Sequence, residues 1–138
     1  MAFNPNEIPL FSVIRVPYVF EGANVRKRFV VISHAYNHAF CLKTTSQTET
    51  FDADPSQLQG VVVYEAGECP LFEKRTIIDP RNQFPIAHSV LILHEGVGDF
   101  ETHGVLPSDF KARLIEAITK SRVIERNKKK RLLSQLQP

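Results

Sequence analysis

Apolar side chains recur at every second position over residues 13–20, where Ile14, Val16, Tyr18 and Phe20 make the more apolar side. A period of two predicts a half-buried strand. Pro17 has no amide to give to a ladder, so this strand is expected at a sheet edge or at a bulge. A turn over Glu21-Gly22-Ala23-Asn24 leads into two further strands, residues 26–33 and 40–46, joined by the loop His34-Ala35-Tyr36-Asn37-His38-Ala39. Residues 52–60 read as a loop holding one helical turn. Short strands are expected at 60–65, around Leu71 and Phe72, at 75–78 and at 89–94. In the last of these, Val90-Leu91-Ile92-Leu93 is an unbroken apolar run of the kind found in a strand covered on both faces. Asp79-Pro80-Arg81-Asn82 and Gly96-Val97-Gly98-Asp99 punctuate the chain as turns. Short strands at close spacing predict a mainly β fold, a small barrel or sandwich, rather than βαβ units.

The pattern changes after Pro107. Ser108 can cap a helix whose residues Phe110, Leu114, Ile115 and Ile118 share one face. Residues 122–137 keep helical propensity and form either a second helix or a frayed end. Residues 1–10 show no periodicity and are expected as an irregular arm. There is no internal repeat, and 138 residues suit a single domain over 1–138.

Charge narrows the choice of partners. Residues 120–138 hold seven of the 17 basic residues and one of the 15 acidic ones, a tail of +6 on a body of −4. Such a body does not suit a domain that grips nucleic acid over its whole surface, so any such contact is local. No run approaches the ~18 apolar residues of a membrane span. The first residues lack the basic and apolar regions of a signal peptide. Cys41 and Cys69 are isolated from each other in sequence, and a reduced, cytoplasmic protein is the expectation.

The candidate chemistry lies in strands 26–33 and 40–46. One begins with Arg26, Lys27 and Arg28, and the other ends with Lys43, Thr44, Thr45 and Ser46. If the six residues 34–39 are the whole loop, Ser33 faces Phe40, Val31 faces Leu42 and Phe29 faces Thr44. Arg28 then lies opposite Thr45, with Cβ atoms roughly 5 Å apart, and guanidinium and hydroxyl can hold one phosphate. A slip of one residue would put them on opposite faces. The same residues also suit an ordinary hairpin, with a basic edge guard and a Thr-Thr-Ser strand end running into a turn.

These segments resemble the PemK/MazF-like toxins of bacterial toxin–antitoxin systems. The matching stretches are Val13-Ile14-Arg15-Val16-Pro17-Tyr18, Lys27-Arg28-Phe29-Val30-Val31-Ile32-Ser33 and Leu42-Lys43-Thr44-Thr45-Ser46. The likeness is clear over residues 11–47 and extends to Gly104-Val105-Leu106-Pro107 and the helix beyond. It implies a small SH3-like barrel with C-terminal helices, usually a homodimer, that cleaves single-stranded RNA without a metal or cofactor and is neutralised by an antitoxin protein. By position, Arg28 matches the family's catalytic arginine and Thr45 its catalytic hydroxyl, with Ser46 next in line. Arg26, Lys27, Lys43 and Ser46 would hold the RNA backbone. A fixed guanidinium stabilises charge on the reacting phosphate while a hydroxyl orients it. Two departures stand out: Phe29 where the family has proline, and Phe11-Ser12 where it opens on Gly-Asp/Glu. They leave room for a diverged member that keeps the barrel as a binding module without cleavage.

Other features carry less. His34 and His38 are four apart but lie in a loop with no third ligand at a recognisable spacing, so a metal site is not expected. His88, His94 and His103 read as polar handles in or near the core. Gly96-Val97-Gly98 lacks the third glycine of a dinucleotide loop. Cys41 reads as a buried neutral thiol. The basic run at residues 128–131 reads as a solvated helix face, or as a contact for RNA or an acidic peptide.

Overall fold

The alternation that predicts strands near the start of the chain does produce them. In the computed structural model, which describes residues 2–20 and 23–136 and all their side chains except those of 18–20, 23–26, 50 and 82, β1 is Ser12–Phe20, β2 Ala23–Ala35 and β3 His38–Thr45. After them come α1 (Glu49–Ala53), β4 (Val62–Tyr64), β5 (Thr76–Ala87), α2 (His88–Gly96), β6 (Glu101–Val105), α3 (Phe110–Lys120) and α4 (Arg126–Leu136). Short 3-10 turns occupy Pro5–Glu7 in the N-terminal arm and Pro55–Gly60. The fold is mainly β: one antiparallel six-stranded sheet in the order β4-β5-β3-β2-β1-β6, curled into a half-barrel. β6 pairs only with Ser12 to Arg15, so Pro17 falls on the stretch of β1 that β6 does not reach. The predicted turn residues Glu21 and Gly22 lie outside the described residues.

Both faces of the sheet are covered. Val13, Val30, Ile32, Leu42, Val62 and Ile78 meet Phe110, Leu114 and Ile118 of α3 and Leu132 and Leu136 of α4. The tail is therefore a second helix, not a frayed end. On the other face Ile14, Val16, Phe29, Val31, Cys41 and Ile86 meet Leu91 of α2 and Ile8 of the arm. Cys41 is fully buried and burial pushes its thiol up to about 12, as the neutral thiol expected from the sequence requires.

Several expectations are corrected. Strands β2 and β3 are joined by two residues, Tyr36 and Asn37, both at positive φ (+52° and +61°), not by a six-residue loop. Two left-handed residues match the twist of a tight hairpin, and the absence of glycine hid the turn. The register sets Ser33 against Phe40, but Val31 against Cys41 and Phe29 against Lys43, because Ile32 is an extra residue on β2. Phe29, Val30, Val31 and Ile32 are all buried, so their pattern had no polar side from which to read a register. The run 89–94 is not a strand but most of α2, with Ile92 and Leu93 exposed and Leu91 buried. Short apolar runs do not distinguish helix from strand by period alone. Ser108 does not cap α3; Asp109 holds the N-cap position, without a side-chain cap bond.

Leu71 and Phe72 form no strand. Phe72 is buried in the larger core, and a Cβ on Gly104 (φ +127°) would stand 3.1 Å from Leu71 Cδ2. Residues 70–74 thus lie close against β6 beside the mouth of the half-barrel. The predicted turn at residues 79–82 is a bulge inside β5. Lys43 pairs with Asp79 and Leu42 with Gln83, which loops Pro80, Arg81 and Asn82 out of the ladder. Asp79 Oδ1 accepts from Arg81 N at 2.9 Å, the local turn chemistry of an aspartate.

Candidate phosphate-binding cleft

The middle of β2 and the end of β3 open onto a cleft of about 570 Å³. Lys27 and Arg28 come from β2, Lys43, Thr44 and Thr45 from β3, and Ser46 and Gln47 from the chain just beyond it. Residues 70–74, Thr76 and His103 of β6 complete the walls. Four cationic side chains, those of Lys27, Arg28, Lys43 and Lys74, thus line one cavity together with the hydroxyl residues Thr44, Thr45, Ser46 and Thr76. Glu73 is the one carboxylate among its lining residues. This distribution favours an anion with several oxygens, such as a phosphodiester.

The bulge at Ile32 alters the expected pair. Thr44, not Thr45, sits beside Arg28, and its hydroxyl donates to the Arg28 carbonyl at 3.2 Å. By strand alternation Arg28 stands with Val30 and Thr44, while Thr45 stands with Lys43 and Cys41. The bulge is the one-residue slip that puts Arg28 and Thr45 on opposite faces of the sheet, a correction to the shared face expected from the sequence. The two residues still border the same cleft, Arg28 exposed and Thr45 half-buried. Thr45 Oγ1 accepts from Gln47 N at 3.1 Å, which curls the strand end and turns Ser46 outward. Arg26 pairs through its backbone with Pro17, and its side chain lies outside the described ones.

Sequence reasoning missed Lys74, Thr76 and His103. They arrive from a loop, the start of β5 and β6, and no local spacing joins them to β2 or β3. His103 Nε2 is buried without a hydrogen-bond partner among the described residues, 3.6 Å from the Glu101 carboxylate.

Two further histidines, His34 and His88, join separate elements. His34 Nδ1 lies 3.0 Å from His88 Nε2, and His34 Nε2 lies 3.0 Å from the Ile8 carbonyl. A carbonyl only accepts, so His34 carries its proton on Nε2, and in the neutral pair His88 donates to His34 Nδ1. The pair ties the arm and the start of α2 to the β2–β3 hairpin. His38 bonds separately, Nδ1 to the Tyr36 carbonyl at 2.8 Å. Among the described residues no three His, Cys, Asp or Glu side chains gather as a metal-binding group.

Burial, then the neighbouring His34 and His38 rings, hold His88 below the ordinary imidazole range. Below about pH 6.5 the unfolded chain then binds more protons than the folded one, so stability falls as pH falls. Urea midpoints are expected to drop between about pH 7 and about pH 5.5, and to drop less in His88→Gln. A pH-independent difference between the two proteins would contradict this.

No known protein family matches the chain, and neither does any curated protein or solved structure.

Proposed function

We propose that this protein binds single-stranded RNA in the cleft lined by β2, β3 and residues 70–76 and cleaves it without a metal, in the manner of PemK/MazF-like toxins. The observation that carries the reading is the gathering of Lys27, Arg28, Lys43 and Lys74 with four hydroxyl residues in one open cavity. Arg28 lies midway along β2 and stabilises the charge that builds on phosphate oxygens as the ribose 2′-hydroxyl attacks. Thr45 and Ser46, which line the same cleft, orient the phosphate. The curled sheet with helices after its last strand suits an SH3-like barrel. Phe11 stands where the family places a glycine, and its φ of +68° is backbone that favours glycine. An antitoxin protein, short and acidic or DNA-binding, a homodimer and a cytoplasmic location complete this reading. Among the described residues no helix is long and apolar enough to cross a membrane.

A specific observation favours a second reading. The Thr44 hydroxyl is spent on the Arg28 carbonyl and the Thr45 hydroxyl on the Gln47 turn. A diverged module that binds RNA without cutting it needs the cations and not the hydroxyls. Incubating purified protein with a long RNA, with and without chelator, separates the two. Chelator-resistant fragments are expected; intact RNA that is nevertheless bound would favour the module, and RNA neither cut nor bound would overturn both.

A further inference from the structure

Thr45, Lys43 and Gln47 also border a second cleft of about 300 Å³, on the side of Thr45 away from Arg28. Its other lining residues are Glu49, Phe51, Asp79 and Arg81. Arg81 belongs to the bulge of β5, and its guanidinium is held from two directions. Nε lies 3.0 and 2.8 Å from the two Asp79 carboxylate oxygens, and Nη2 lies 2.6 Å from Oδ2. Its Cζ stands 5.4 Å from the centroid of the Phe51 ring, and Phe51 is buried. The backbone of the bulge is tied as well, since Lys128 of α4 donates to the Arg81 carbonyl.

A guanidinium held in this way acts as a fixed plane more than as a mobile charge. Asp79 neutralises it and Phe51 backs it, yet 32% of the Arg81 side chain remains exposed. Arginine planes and aromatic rings are the surfaces on which unpaired bases stack. The smaller cleft has room for one planar base and shares three residues with the phosphate cleft. A nucleotide can therefore place its phosphate on one side of Thr45 and its base on the other.

We propose that this second cleft is a nucleobase pocket, in which a base of single-stranded RNA stacks on the Arg81 guanidinium. The inference rests on the RNA reading above and adds the subsite that reads the base. It also gives Asp79 and Phe51 a task, as positioning residues that keep the plane still.

The test compares two short labelled oligomers by fluorescence anisotropy, one a mixed-sequence 2′-O-methyl RNA that cannot be cleaved, the other its abasic counterpart. The base-bearing oligomer is expected to bind roughly tenfold tighter than the abasic one. Arg81→Lys keeps the charge and loses the plane, so it should erase that margin while leaving abasic binding unchanged. Equal binding of both oligomers to the wild type, or a margin that survives in Arg81→Lys, overturns the pocket and leaves the RNA reading standing. Failure of both oligomers to bind wild type overturns the RNA reading and the pocket with it. If Arg81→Lys also loses the abasic oligomer, photocrosslinking of 5-iodouridine RNA to the wild type decides. Adducts on the peptides holding Phe51 or Arg81 uphold the pocket, and adducts confined elsewhere overturn it.

Discussion

Arg28→Ala is expected to lower the rate of RNA cleavage by about 10²–10³-fold, the usual loss when one preorganised donor to a developing oxyanion is removed. Arg28 is exposed at the cleft and outside both cores, so its loss should change stability by no more than about 0.5 kcal/mol. Rate and stability therefore move independently, which a merely structural role for Arg28 would not allow. Arg28→Lys restores a charge but not the planar fork, and only a small part of the rate should return. Binding should weaken as well, with the slope of log affinity against log salt reduced by about 0.7, one phosphate contact on a single strand. Full cleavage by Arg28→Ala would remove the arginine from the mechanism.

The second large effect is on stability. Phe110 has no exposed surface, and its ring meets Phe11 edge-on, centroids 5.4 Å apart at 68°. Phe110→Ala should cost about 3–5 kcal/mol through lost burial and the cavity left beneath α3. Phe11 makes the loss worse to absorb. Its backbone is at positive φ, its amide donates to the Val31 carbonyl and its carbonyl accepts from Leu106, so it cannot easily collapse into the space. Urea unfolding should show a lowered midpoint at nearly constant slope. Ile115→Ala, on the same helix but only partly buried, should lose much less. Equal losses at the two positions would mean that α3 does not pack as described.

The sequence revealed elements whose surroundings differ on their two sides. Strand β1 and the apolar face of α3 were legible because polar residues mark where water lies. Strand β2 was legible as a strand but not in its register, since Phe29 to Ile32 are buried on alternate faces and any slip looks equally good. Helix α2 was misread for a related reason: Val90 to Leu93 carry no polar residue to betray a helical period. Strand β6 was missed altogether, because Glu-Thr-His-Gly-Val has little apolar character and holds its place by pairing with β1. The cleft was half legible. Its β2 and β3 residues are close in sequence, whereas Lys74, Thr76 and His103 join them only through the curl of the sheet.

That short outer strand has a kinetic consequence. β1, β2 and β3 form a local meander, but β6 joins the sheet only when residues 101–105 find residues 12–15 across most of the chain. Long closures are entropically slow, so the meander should assemble first and β6 should dock late. The same weakness persists after folding. Four of its five residues are exposed, so little buried surface holds it down. Native-state hydrogen exchange should find its amides opening sooner than those of β2 and β3. Because His103 is carried on β6, each such opening also unlatches one wall of the cleft beside β2 and β3.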